Sequence, residues 1–212
     1  MVDYKVNNTI TEVKAERRRE LRSWIDFFVI VLTVLIIMTT IRVNVIYRVV
    51  VDGSSMTPTL HSGDYLIGFK VGEIARGDVI VCHSEYLKQE AISSQNGYQM
   101  AKLNADGEYL LIKRVVALPG DVITSVNGKI YIKYGGQGEF EPVEDDFVSL
   151  AEPILTTVVE PETYFVLGDN RKLGGSRDSR EIGLIPFRDV KAVIPQYLID
   201  ARYSLSFLYK IL

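Results

Sequence analysis

The uninterrupted apolar run from Phe27 to Ile41 (FFVIVLTVLIIMTTI) limits what this chain can fold into more than any other stretch. It holds no charge, glycine or proline, and extending it back to Trp24 admits only Asp26. About 20 mostly apolar residues cross a bilayer, so the run is a short but sufficient span once its flanks are included. Apolar residues occupy every side of the helix it would form, which argues against a core helix with one polar face. Trp24 suits the interface, and Asp26 and Arg42 can extend toward headgroups on opposite sides. Arg17, Arg18, Arg19 and Arg22 precede the run, and this basic flank predicts a cytoplasmic N-terminus. A cleaved export signal would need small residues after the run. Thr39-Thr40-Ile41-Arg42-Val43-Asn44 supplies none at the required spacing, so the anchor is expected to stay. The expected organisation is a cytoplasmic segment 1–22, a transmembrane helix 23–42 and an extracytoplasmic domain 43–212.

Beyond Arg42 the pattern changes to short β-branched and aromatic runs broken by turn residues. Strands are predicted at 45–51, 65–70, 78–82, 109–118, 122–126, 129–134, 164–167 and 190–198. Asn127-Gly128 between two of them is a two-residue hairpin turn. The predicted fold is mainly β: a complex β-sheet, barrel-like domain with a small inserted β subdomain, preceded by the single membrane helix. Two polar stretches, about 84–107 and 135–162, read as surface loops, lids or a small insertion rather than core.

Composition excludes several functions. A net charge of −3 gives no footprint for nucleic acid. The single cysteine, Cys82, sits in the run Val79-Ile80-Val81-Cys82, where a small buried hydrophobe is expected. One cysteine builds neither an internal disulfide nor a Cys-based zinc site, and nothing in the sequence calls for a metal or cofactor. The sequence has no Gly-x-Ser-x-Gly elbow, zinc helix or phosphate loop. Its two histidines, His61 and His83, are expected in ordinary polar roles.

Three segments carry the remaining chemistry. Gly53-Ser54-Ser55-Met56-Thr57-Pro58-Thr59-Leu60 follows a predicted strand, and by itself reads as a loop. Ile112-Lys113-Arg114-Val115-Val116 places two adjacent basic residues inside a strand, whose alternation turns one of them inward. Gly168-Asp169-Asn170-Arg171, followed by Ser176-Arg177-Asp178-Ser179-Arg180, is dense in polar groups directly after a predicted strand.

Taken together the chain resembles the type I signal peptidases, serine proteases with a serine/lysine dyad. Ser-Met-x-Pro-Thr-Leu stands at Ser55–Leu60 and Arg-Gly-Asp-Val at Arg76–Val79. Lys-Arg-Val-x-x-x-Pro-Gly-Asp stands at Lys113–Asp121, and Gly-Asp-Asn-Arg…Ser-x-Asp-Ser-Arg at Gly168–Arg180. The resemblance implies Ser55 as nucleophile and Lys113 as general base. It implies Ser176 as the residue that orients the lysine amine, and Asp169, Asp178 and Arg180 as polar supports. Asp178 would pair with Arg180 or Arg171, and Arg114 and Arg171 would be structural. The Ser55 backbone N–H would be a main oxyanion donor. The family's other oxyanion position is Gly53 here, where some relatives carry a hydroxyl, so a second donor would be water or a neighbouring amide. Residues 172–175 exceed the family's common spacing in the last motif. Val49, Val51, Met56, Leu60 and Ile112 match the family's shallow side-chain pockets, with ordinary core packing as their other reading. The implied partners are exported preproteins carrying signal peptides, cleaved after small residues, and the lipid bilayer; the implied setting is a bacterial cell membrane.

A lysine can take a proton from serine only while its amine is neutral, whereas an ordinary lysine titrates near about 10.4. Burial lowers that value by as much as ~3 to 5 units. Leu110, Leu111, Ile112, Val115 and Val116 offer the required apolar setting. A self-cleaving repressor-type peptidase also pairs serine with lysine, but carries a DNA-binding domain where this chain has an apolar span. A non-catalytic, membrane-tethered relative that assists assembly of surface proteins would be expected to have lost Ser55 or Lys113, and both are present.

Overall fold

The computed structural model describes residues 2–70, 72–84, 109–144, 147 and 149–201, with the backbone alone for 2–16. The chain divides into two compact units, 1–45 and 46–212.

The first unit is one helix, Val2–Asn44, within which Arg17–Asn44 is long and apolar enough to cross a membrane. Thr33 and Thr40 lie in its apolar stretch, and each hydroxyl donates to the carbonyl four residues back, Val29 O at 2.8 Å and Ile36 O at 2.7 Å. These threonine hydroxyls are thus satisfied within the helix, as a bilayer interior requires.

The second unit is built from eleven described strands in two antiparallel sheets. In chain order they are β1 Ile46–Val50, β2 Tyr65–Phe69, β3 Val79–His83, β4 Leu110–Ala117, β5 Val122–Val126 and β6 Lys129–Lys133. After them come β7 Glu141–Pro142, β8 Thr157–Val158, β9 Thr163–Leu167, β10 Ile185–Pro186 and β11 Val190–Ile194. The larger sheet runs β1-β2-β11-β3-β4-β9-β10, the smaller β7-β6-β5-β8.

Alternation along β3 shows why the larger sheet buries both faces. Val79 and Val81 pack with Val51, Met56, Leu60, Leu66, Ala192, Ile194 and Ile199. Ile80 and Cys82 point the other way, into a cluster with Val115, Tyr164, Val166, Ile185 and Val193. Strand β4 is the hinge between the sheets. Its first half pairs with β3, and its second half pairs with β9 across a register irregularity between Val115 and Ala117. Val116 and Ala117 thereby reach a third cluster with Ile123, Ile130 and Ile132 of the smaller sheet. The β5–β6 hairpin closes on Asn127 and Gly128, both with positive φ (51° and 77°), the backbone that a two-residue primed turn demands.

The mainly-β architecture agrees with expectation, and two boundaries need correction. The last predicted strand, 190–198, ends at Ile194; Pro195 opens a short helix, Gln196–Asp200, because proline supplies no N–H to continue a ladder. The 135–162 stretch is partly core: Leu150, Ile154 and Val159 are buried in the third cluster, and β7 and β8 flank the hairpin. Apart from Ser84, the 84–107 stretch lies outside the described residues.

Candidate active site

Lys113 stands on β4 directly opposite Ile80 of β3, so its side chain shares a face with Ile80, two residues along from Leu111 and Val115. It is 2% exposed and ranks among the largest fully buried side chains. Its Nζ reaches Ser55 Oγ at 2.9 Å and donates to Ile112 O, also at 2.9 Å. Burial pulls the Lys113 pKa below its ordinary value, against an opposing pull from Cys82, Asp178 and Asp169. Cys82 adds no charge to that balance near neutral pH, since its own burial pushes the thiol up to about 12.

Both neighbouring carboxylates are occupied by arginine. Asp178, fully buried, takes Arg180 Nε at 2.7 Å and Nη2 at 2.8 Å, and accepts from Gly168 N at 2.9 Å. It also caps the short helix Ser179–Ile182, which fixes its approach to Arg180. Asp169 takes Arg114 Nε at 2.8 Å and Nη2 at 2.7 Å. Arg114 further donates to Gly77 O and Gln196 Oε1, each at 2.6 Å. These forks hold the negative charge away from the amine, so desolvation prevails. Of the two arginines expected near Asp178, the structure selects Arg180. Arg171 instead donates Nε to Gly168 O at 2.8 Å and stacks its guanidinium 4.8 Å from the Phe147 ring.

The Ser55 loop is fastened to the Gly168–Arg171 segment. Asn170 N donates to Ser55 O at 3.0 Å, and Asn170 Nδ2 donates to Ser54 O at 3.1 Å. Gly168 is the close-packed floor beneath this join. A Cβ there would run into Ser176 Cβ and Oγ and stand 2.5 Å from Ser55 O. Neither Asn170 nor Gly168 stood out in the sequence except as part of the motif that contains them.

Ser176 comes to the site but does not make its expected contact. Its buried Oγ has no hydrogen-bond partner among the described residues, while the Lys113 amine bonds Ser55 and Ile112 instead. Gly53, with φ +96°, leaves open space where a side chain would stand.

Two clefts meet at Ser55 and Lys113. One, about 300 Å³, is lined by Val49, Val50, Val51, Met56, Leu110 and Ile112 together with the dyad. The other, about 350 Å³, is lined by Gly53, Ser54, Gly174, Gly175, Ser176 and Arg177. Four of the five expected pocket residues line the apolar cleft. Leu60 is the correction: its side chain is fully buried in the core with Val51, Met56 and Leu66, because the loop turns back at Leu60 N→Met56 O (2.9 Å) and carries it inward.

The family model described as "Signal peptidase, peptidase S26" matches residues 22–197. The chain is 33% identical over 171 residues to signal peptidase I of Bacillus caldolyticus, covering 73% of this chain and 80% of that one. It is 27% identical over 190 residues to signal peptidase I S of Bacillus subtilis (strain 168), covering 84% and 90%. A solved signal peptidase I from Enterococcus faecalis V583 aligns with a TM-score of 0.41 at 20% identity, over 58% of this chain and 98% of that one.

Proposed function

The chain belongs to the signal peptidase family, peptidase S26, and is a serine endopeptidase; from that premise we propose that Ser55 and Lys113 are the groups with which it removes signal peptides. The observation that carries the roles is the 2.9 Å approach of a buried amine to a serine hydroxyl. With Nζ neutral, its lone pair accepts the Ser55 proton as Oγ attacks the scissile carbonyl. The carbonyl electrons move onto oxygen, where the Ser55 N–H meets the developing charge. The ammonium of Lys113 then returns its proton to the departing amine, which leaves as the new N-terminus. A water, deprotonated by the same amine, attacks the acyl-Ser55 ester. The resulting ammonium protonates the departing Ser55 Oγ, and the signal peptide leaves with a free C-terminal carboxyl group.

The apolar cleft beside the dyad suits small side chains on the acyl side of the bond, held in an extended strand. The basic flank of the apolar helix supports a topology with 1–22 in the cytoplasm, 23–42 in the bilayer and 43–212 outside it. That arrangement brings the dyad to precursors as they emerge from the bacterial cell membrane. The test is cleavage of a secretory precursor by wild type, Ser55→Ala and Lys113→Ala proteins in detergent. Wild type should cut the precursor at the end of its signal peptide, and each variant should lose at least about 10³-fold in rate while keeping its fold. Undiminished cleavage by either variant would overturn the assignment.

A further inference from the structure

The Ser54–Ser55 peptide plane is gripped from one side only. Its carbonyl oxygen, Ser54 O, accepts three donors: Thr57 N at 3.2 Å, Thr57 Oγ1 in a short contact, and Asn170 Nδ2 at 3.1 Å. A trans peptide is planar, with its C=O and N–H pointing in opposite directions. Fixing Ser54 O therefore fixes the direction of the Ser55 N–H, which has no hydrogen-bond partner among the described residues. The adjacent plane is held as well, by Asn170 N on Ser55 O at 3.0 Å. Asn170 thus fastens the two carbonyls that bracket the nucleophile.

We infer that Asn170 and Thr57 are positioning residues for the oxyanion: by locking Ser54 O they aim and polarise the Ser55 N–H at the oxygen that becomes negative. This rests on the dyad reading above. Donors on a carbonyl draw electron density from the whole amide, so the N–H on its far side becomes a stronger donor. The effect carries particular weight here because Gly53 contributes no side-chain hydroxyl to share the load. An oxyanion donor strengthens its contact as charge develops, so the loss should appear in kcat and leave KM nearly unchanged.

The test uses the full chain in detergent with a fluorogenic signal-peptide substrate, comparing Asn170→Ala, Thr57→Val and Thr57→Ser. Removing an oxyanion donor outright costs about 10²- to 10³-fold in kcat. Loosening one should cost less, about 5- to 20-fold, because one neutral hydrogen bond is worth roughly a factor of five. Asn170→Ala and Thr57→Val should each lose that much in kcat with KM within about twofold of wild type. Thr57→Ser, which keeps the hydroxyl, should recover most of the rate, and the midpoint of the pH–rate curve should not move in any variant. The inference is overturned if KM rises at constant kcat, if Thr57→Ser is as impaired as Thr57→Val, if the pH midpoint moves with the loss, or if all three match wild type. Should Asn170→Ala not fold, the Thr57 pair decides alone. A wild-type protein that does not cleave would instead sink the dyad reading.

Discussion

Arg180 grips Asp178 through two parallel hydrogen bonds, 2.7 and 2.8 Å long, in the site where Lys113 Nζ meets Ser55 Oγ. Asp178 is among the groups that pull Lys113 toward its protonated form, and a cation paired with that carboxylate acts in the opposite direction. The pair is worth more for the charge it neutralises than for the stability it adds, since a buried ion pair gains little net energy over apolar packing.

Arg180→Ala should therefore act at two levels. An uncompensated buried carboxylate costs about 3–5 kcal/mol of folding stability. In whatever protein remains folded, Lys113 titrates higher, and the acid limb of kcat/KM moves to higher pH. Thermal unfolding and a pH–rate profile read the two effects separately; a drop in stability with an unmoved acid limb would contradict the electrostatic role.

Gly168→Ala is expected to be harmful for lack of space. Its methyl would press on Ser176 and on the Ser55 carbonyl, which Asn170 N holds at 3.0 Å. Overpacking of this kind costs about 1–3 kcal/mol, and the displaced nucleophile should lower kcat/KM by at least tenfold. Denaturant unfolding and steady-state kinetics check the two parts.

Ser176→Ala should separate function from stability. The hydroxyl is buried without a partner among the described residues, so removing it should cost the resting fold nothing and raise Tm slightly. If the hydroxyl meets the Lys113 amine only during turnover, kcat falls about tenfold. A large loss of Tm would contradict the orphaned state.

Lys113→Met should stabilise the protein while inactivating it. The folded pKa of Lys113 lies below its ordinary value of 10.5. Between the two values the unfolded chain binds more protons, so this group's contribution to stability rises with pH across that window. Removing it should raise Tm at pH 7, by an amount that shrinks as pH approaches 10.5. Calorimetry at pH 7 and pH 10 tests this; a lower Tm at pH 7 would contradict it.

Much of this was legible before any coordinate, for local reasons. Asn127-Gly128 encodes its own turn, and the β-branched run around Lys113 encodes a strand. Alternation predicts one buried basic residue there, whereas Lys113 and Arg114 are both buried, Arg114 with its guanidinium satisfied by Asp169, Gly77 O and Gln196. Strands β8 and β10 are only two residues long, too short to show a period, and exist because β5 and β9 offer them a partner. Leu60 lies close to Ser55 in sequence, but the backbone of the Ser55 loop turns it into the core, which no local pattern shows. Asn170 escaped because its bond to Ser54 spans 116 residues of sequence and leaves no local pattern. The choice of Arg180 over Arg171 likewise depended on Asp178 capping the helix that carries Arg180.

The most direct test is the pH dependence of single-turnover acylation of Ser55. Protonation of Lys113 removes the lone pair that accepts the serine proton, so acylation should fall as pH drops through one ionisation well below 10.5, and Lys113→Arg, charged at every accessible pH, should not acylate. An ionisation at the ordinary lysine value, or acylation that persists in Lys113→Arg, would contradict a neutral buried amine as the base.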